Sequence, residues 1–177
     1  LAFEDRVLEV VEQHDIELRT GIKVESVDLA AREVVTSEGE RCVFDRLVLA
    51  TGSAPFVPPV PGIEREGVFV YRTLDDLDAI RAYADKSKRC AVLGGGLLGL
   101  EAARAVQECG VEAHVIELAP RLMPRQIDAI GGRLLKRAIE RLGVQVHVGC
   151  GTREVLGDPA VTGLATSEAD LPFDMVV

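Results

Sequence analysis

Three glycines and one acid are the residues best suited to chemistry. Gly94, Gly96 and Gly99 lie in the stretch CAVLGGGLLGLE, residues 90–101, spaced G-x-G-x-x-G between an apolar run and a helical one. In such a turn the first glycine lets the chain leave the strand sharply. The second lets bare main chain approach a pyrophosphate, and the third lets the helix pack closely on the strand. Free N–H groups at the helix start then face phosphate oxygens, helped by the helix dipole. Glu117 closes the next strand about 20 residues on, where an acid accepts hydrogen bonds from an adenosine ribose and repels a 2′-phosphate. The pattern predicts a dinucleotide site that prefers NADH to NADPH. Arg121 follows closely and would soften that preference, which keeps NADPH open. Two other readings of the glycines stand beside this one: a packing turn in an α/β domain without ligand, and the look-alike turn of a methyltransferase. Glu101 is placed in the first helical turn, where the dipole favours negative charge. It is either satisfied by the helix end or functional.

The remaining reactive side chains carry less. Cys42, Cys90, Cys109 and Cys150 are scattered without a C-x-x-C pair, so four reduced thiols in a cytoplasmic protein are expected, and no metal site. His14, His114 and His147 fall at a helix end or in strands and read as structural. A formal net charge of −9 speaks against nucleic acid as a partner. No apolar run nears the about 20 residues that span a bilayer, so no membrane partner is expected. The opening LAFEDRVLEVVEQHD carries acids where a signal peptide carries Lys or Arg, and without an initiator Met it reads as the start of an excised or processed piece.

The elements that must position the glycines follow from periodicity. Phe3, Val7, Val10 and Val11 share one helical face. IELRTG (16–21) reads as a short strand. Residues 23–51 alternate as antiparallel strands around a turn at Glu38-Gly39-Glu40 and end in a buried strand, RLVLAT. GSAPFVPPVPG (52–62) holds four prolines and reads as an extended crossing between two domains. Thr73 and Asp76 suggest a capping box for a helix to about Ala84, with Leu74, Leu77, Ile80 and Ala84 buried. From Arg89 the order is strand, glycine turn, helix (97–109), strand (112–118), helix (127–142), strand (144–149). The second helix is expected to bury Ile127, Ile130, Leu134, Ala138 and Leu142. Such a βαβαβ order calls for a parallel sheet, and the near-continuous apolar strand CAVLG calls for cover on both its faces.

VLGGGLLGLEAA together with the upstream RLVLATGSAPFVPPVPG resembles the FAD- and NAD(P)H-dependent pyridine nucleotide oxidoreductases. Within that family, ELAPRLMPRQIDAIGGRLLKRAIERLGVQV is most similar to the flavin module of NAD(P)H nitrite reductase large subunits. The resemblance implies an α/β fold of Rossmann-like βαβ units with a small antiparallel meander, part of a two-dinucleotide flavoprotein. It implies a partial FAD-binding domain over 1–70 and an NAD(P)-binding domain over 71–177, truncated at its C-terminus. Val24, Ala50, Thr51, Gly52 and Arg72 match positions that meet FAD in relatives, although Arg72 also reads as a surface cation beside Asp75 and Asp76. Gly94, Gly95, Gly96, Leu97, Leu98, Gly99 and Glu117 match the NAD site. The family's own FAD glycine fingerprint and its later Gly-Asp segment are not found, and VTGLATSEADLPFDMVV is shorter than the hairpin expected there, with LPFDMVV as a strand.

The activity implied is hydride transfer from NADH to FAD, with electrons passed to a downstream acceptor domain or protein, nitrite reduction first among the outcomes. A rubredoxin- or ferredoxin-reductase type and a non-catalytic NADH-sensing module are the alternatives. A homodimer is within the range of partners implied.

Overall fold

Side chains alternate between two covered faces along the strands that flank the glycine turn, and this fixes the layers around them. The structure, a computed structural model, describes the backbone of residues 3–177 and the side chains of residues 6–177. It divides into two units, Leu1–Gly52 and Ser53–Val177. The first holds α1 (Phe3–Gln13) and a three-stranded antiparallel sheet, β1 (Val24–Asp28), β2 (Glu33–Thr36) and β3 (Arg41–Val43), in that order. The β2–β3 turn forms where expected: Gly39 takes φ of 79° and Thr36 N–H donates to Glu40 O at 2.9 Å. The Phe3 side chain lies outside the described residues.

The second unit contains α2 (Leu74–Ala84), β4 (Arg89–Leu93), α3 (Leu97–Glu108), β5 (Glu112–Glu117), α4 (Ala129–Arg141) and β6 (Gln145–Val148). β7 (Thr152–Gly157), β8 (Val161–Thr166), β9 (Asp170–Pro172) and β10 (Met175–Val176) complete it. Its parallel sheet has the order β10-β4-β5-β6, and β7-β8-β9 form an antiparallel meander. Cys90, Val92, Ala113, Val115, Val146 and Met175 point to one core, shared with Ile80 and Ala84 of α2 and Ala102, Ala103 and Val106 of α3. Their strand neighbours Ala91, Ile116 and Val176 point to the other, shared with Val155, Val161, Leu164 and Phe173. Side chains on a strand alternate between faces, so a strand buried on both sides reads as unbroken apolar sequence. The βαβαβ expectation holds, with helices covering one face and the meander covering the other.

Several expected elements differ. Residues 16–21 and 46–51 form no strand; Val48 and Leu49 are 84% and 73% exposed, because no neighbour among the described residues supplies hydrogen bonds to them. Leu74 is exposed, and α2 buries only Ile80 and Ala84 fully. α4 turns Ile130, Leu134, Ala138 and Leu142 to solvent and packs through Gly132, Leu135 and Ile139. The segment read as shorter than the family's hairpin forms an antiparallel β8–β9 pair: Thr166 closes the turn, its Oγ1 donating to Ala169 O at 2.7 Å. LPFDMVV is accordingly no single strand but the end of β9, a buried Phe173, and β10. No described helix is long and apolar enough to cross a membrane.

Candidate functional site

Leu93 ends β4, and the chain turns through Gly94 at φ of 115°, a left-handed conformation that side chains oppose. Gly94 N–H still reaches across the sheet to Ile116 O at 2.9 Å, so the turn begins while β4 remains paired with β5. Gly96 is the N-cap of α3 and supplies no side chain to cap it. The first intrahelical bond runs from Leu100 N–H to Gly96 O at 3.0 Å. Among the described residues nothing accepts from the N–H groups of Leu97, Leu98 or Gly99. These are the orphan donors that every helix start presents.

The glycines differ in what they permit. A Cβ on Gly96 would meet nothing within 4 Å, so this main chain faces open space. A Cβ on Gly99 would collide with the carbonyl oxygen of Gly94, which ties that glycine to close helix–strand packing. Gly95 is buried, and a Cβ there would strike Leu122 Cδ2 at 2.5 Å. Gly94 differs again: a Cβ there would meet nothing within 4 Å, and its backbone conformation is what favours glycine.

Glu117 ends β5 beside the turn. Its Oε2 accepts from Gly95 N–H and its Oε1 from Ala119 N–H, each at 2.6 Å. Each carboxylate oxygen has two acceptor sites, so each keeps one for a further donor. Arg121 does not face Glu117 as an ion-pair partner: its Nε donates to Ile127 O at 3.2 Å and its Nη2 to Pro124 O at 2.9 Å. Glu101 is the fifth residue of α3 and exposed, so the first-turn placement is corrected; α3 has no acid in its first turn. An anion at this helix end would meet the dipole with no acid from the first turn of α3 itself.

Leu98 and Gly99 also line an apolar cavity of about 410 Å³, together with Phe56, Tyr71, Leu93 and Val177. The aromatic residues of this wall carry no motif, and nothing in their spacing brings them to the turn. Leu122 and Met123 were equally invisible, since a loop has no period to read. Arg72 is exposed; its Nε donates to Ser53 O at 3.2 Å, while Asp76 accepts from the backbone N–H groups of Arg72 and Thr73 rather than from the guanidinium. In the first unit Val24 opens β1 half exposed, and Ala50, Thr51 and Gly52 lie in an exposed irregular stretch.

The cysteines are all free, and burial pushes the Cys90 thiol far up, which keeps it unreactive. His114 and His147 lie away from the turn and bond each other, Nδ1 to Nε2 at 3.2 Å. Burial lowers the pKa of both. Among the described residues no cluster of three or more His, Cys, Asp or Glu could hold a metal ion.

Known proteins resemble this chain in sequence and fold. The chain is 54% identical over 144 residues to the nitrite reductase [NAD(P)H] large subunit of Klebsiella oxytoca, covering 81% of this chain and 15% of that protein. It is 42% identical over 167 residues to the nitrite reductase [NAD(P)H] of Bacillus subtilis, covering 94% of this chain and 21% of that protein. The chain thus spans a fifth or so of the length of these relatives. The crystal structure of a ferredoxin reductase from Rhodopseudomonas palustris superposes with a TM-score of 0.84 at 30% identity, over 96% of this chain and 42% of that one. The family described as pyridine nucleotide-disulphide oxidoreductase matches residues 3–177. With its glycine turn, parallel sheet and acid at the end of β5, the chain belongs to that family.

Proposed function

We propose that the second unit is the NADH-binding part of an FAD-dependent reductase. One observation carries this reading: three partnerless N–H groups open α3 beside the empty space over Gly96, with the Glu117 carboxylate close at hand. A dinucleotide diphosphate suits those donors, because its anionic oxygens can accept from N–H groups that no acid in the first turn of α3 serves. The free acceptor sites of Glu117 suit two ribose hydroxyls, and its charge opposes a 2′-phosphate, which favours NADH. Leu97 is exposed at the turn, and Leu98 offers the cavity wall an apolar surface.

Bound there, NADH would supply a hydride to FAD. The protein's part is then positional: it fixes the diphosphate by main chain, the ribose by Glu117, and keeps apolar surface beside the turn. Among the described residues the turn at 94–99 is the one glycine-rich strand-to-helix turn, so a second cradle for the FAD diphosphate is not among them. Val24, Ala50, Thr51, Gly52 and Arg72 remain our proposed FAD contacts on family grounds. The names of the two relatives favour nitrite as the eventual oxidant in the parent protein. The likeness to a ferredoxin reductase supports a second reading, in which electrons leave to a small iron–sulfur carrier.

Titration of the chain with NADH and NADPH, followed by nicotinamide fluorescence, tests the site. NADH should bind about tenfold or more tightly than NADPH, a difference of roughly 1.4 kcal/mol. Failure to bind either nucleotide overturns the proposal. In the longer protein that carries this chain, NADH added without oxygen should bleach the flavin absorbance; an unchanged spectrum would remove the reductase activity.

A further inference from the structure

We propose that Arg121 is a positioning residue for the glycine turn: it locks the loop 118–127, and that loop holds Gly95 in place. The inference rests on the dinucleotide reading and deepens it, because it assigns the cation four residues after Glu117 to the main chain and not to a 2′-phosphate.

The contacts form a continuous path. The Arg121 stem lies against α4 at Gly132, where a Cβ would stand 2.9 Å from Arg121 Cβ and 3.1 Å from its Cδ. Gly132 is buried, so the stem takes the place a side chain would fill. From that seat the guanidinium reaches two carbonyls, Pro124 O and Ile127 O. Between them the N–H groups of Gln126 and Ile127 turn back onto Met123 O at 3.0 and 3.1 Å. Met123 takes φ of 46°, a left-handed conformation that a non-glycine residue keeps only where its surroundings hold it.

That held residue meets the site. Met123 N–H donates to Gly95 O at 2.9 Å, and Leu122, with no exposed surface, lies under Gly95. On the other side Glu117 takes the Gly95 N–H. Both polar groups of Gly95 are therefore gripped by residues 117–123, one position before the main chain that would touch a diphosphate. Sub-ångström shifts of such donors matter, since a positioned site loses its advantage when its groups drift. A planar guanidinium suits the task because it offers several donors in a fixed fork, whereas an ammonium is a point charge on a flexible stem. With Nε and Nη2 both committed to carbonyls, Arg121 is not poised as a bidentate clamp for phosphate.

The test compares wild type with Arg121→Met, which keeps the stem and removes the donors, and with Arg121→Lys. Arg121→Met should weaken NADH and NADPH binding by the same factor, about tenfold, leaving their ratio unchanged. Its Met123 amide should exchange with solvent faster, Arg121→Lys should recover only part of the affinity, and low, non-denaturing guanidinium should restore some of it to Arg121→Met. A loss confined to NADPH would overturn the proposal and make Arg121 a 2′-phosphate ligand. Unchanged affinity and unchanged Met123 exchange would also overturn it. If wild type binds neither nucleotide, the dinucleotide reading fails by itself; Met123 exchange in Arg121→Met then still decides whether Arg121 locks the loop. Should Arg121→Met lose its far-UV circular dichroism, Gly132→Ala displaces the arginine without deleting it, and the same changes are expected.

Discussion

Glu117 serves the protein before it serves a ligand. Its two oxygens already hold Gly95 N–H and Ala119 N–H, so the carboxylate shapes the turn as well as facing the space where a ribose would lie. Removing it leaves two donors without their charged acceptor, and hydrogen bonds to charged groups are worth about 1.5–3 kcal/mol each. Glu117→Ala should therefore weaken NADH binding by about tenfold to a hundredfold and NADPH binding by less, since the repulsion of a 2′-phosphate is lost as well. Competitive titration of the two nucleotides reads the ratio; an unchanged preference for NADH would remove Glu117 from the specificity role. This residue could be found in the sequence because the fingerprint fixes its distance from the glycines. The grip on Gly95 from Leu122 and Met123 could not, because it depends on a loop whose conformation no local pattern records. Glu101 differs from that case: the expected helix and α3 both start at Leu97, which makes Glu101 the fifth helical residue, one past the first turn.

Elements were legible in the sequence where a periodic pattern met a complete packing environment. β4, α3, β5 and β6 are read from their apolar pattern because both faces of the sheet are covered, by helices and by the β7–β9 meander. RLVLAT has the same apolar character but gains no strand without pairing neighbours. α4 shows the limit of counting apolar residues: the stripe through Ile130 and Leu134 competes with another through Leu135 and Ile139, and contact with the sheet selects the second. The start of α2 is legible because its signal is chemical and local. Thr73 Oγ1 accepts from Asp76 N–H at 3.1 Å, and Asp76 Oδ2 accepts from Thr73 N–H at 2.7 Å. These bonds hold the Asp76 carboxyl below its ordinary range. Thr73→Ala should cost about 1 kcal/mol of stability, while Thr73→Ser should cost little. Urea unfolding followed by circular dichroism measures both, and equal losses in the two variants would rule out the cap as the cause.

At the scale of the whole second unit, the parallel sheet is pressed between helices and meander, and a polar cluster on β5 and β6 makes it sensitive to pH. His114 lies two residues before Ile116 on the same face of β5 and packs edge-on against Phe173, ring centroids 5.0 Å apart. Its Nε2 meets Glu112 Oε1 at 3.1 Å and its Nδ1 meets His147 Nε2. An ionised carboxylate can only accept, so His114 Nε2 carries the proton and Nδ1 accepts from His147, with both rings neutral. Arg89 and Glu112 face the pair from the sheet, Lys136 and Glu140 from α4, and Glu168 from the β8–β9 turn. Burial is the leading cause that lowers both imidazole pKa values below the ordinary 6.5. In the range below 6.5 the unfolded chain binds more protons than the folded one, so stability is full above that value and drains away as pH falls. Glu112, held low first by Arg89 and then by His114, has the opposite charge type, and its contribution is lost only as pH drops below the ordinary carboxylate value of 4.5. The interval from 6.5 to 4.5 therefore isolates the histidines. The thermal midpoint should decline across it in the wild type, and His147→Gln should reduce that slope by about half, because one of the two shifted groups is gone. Parallel profiles for the two proteins would show that the pair is not the source of the acid sensitivity.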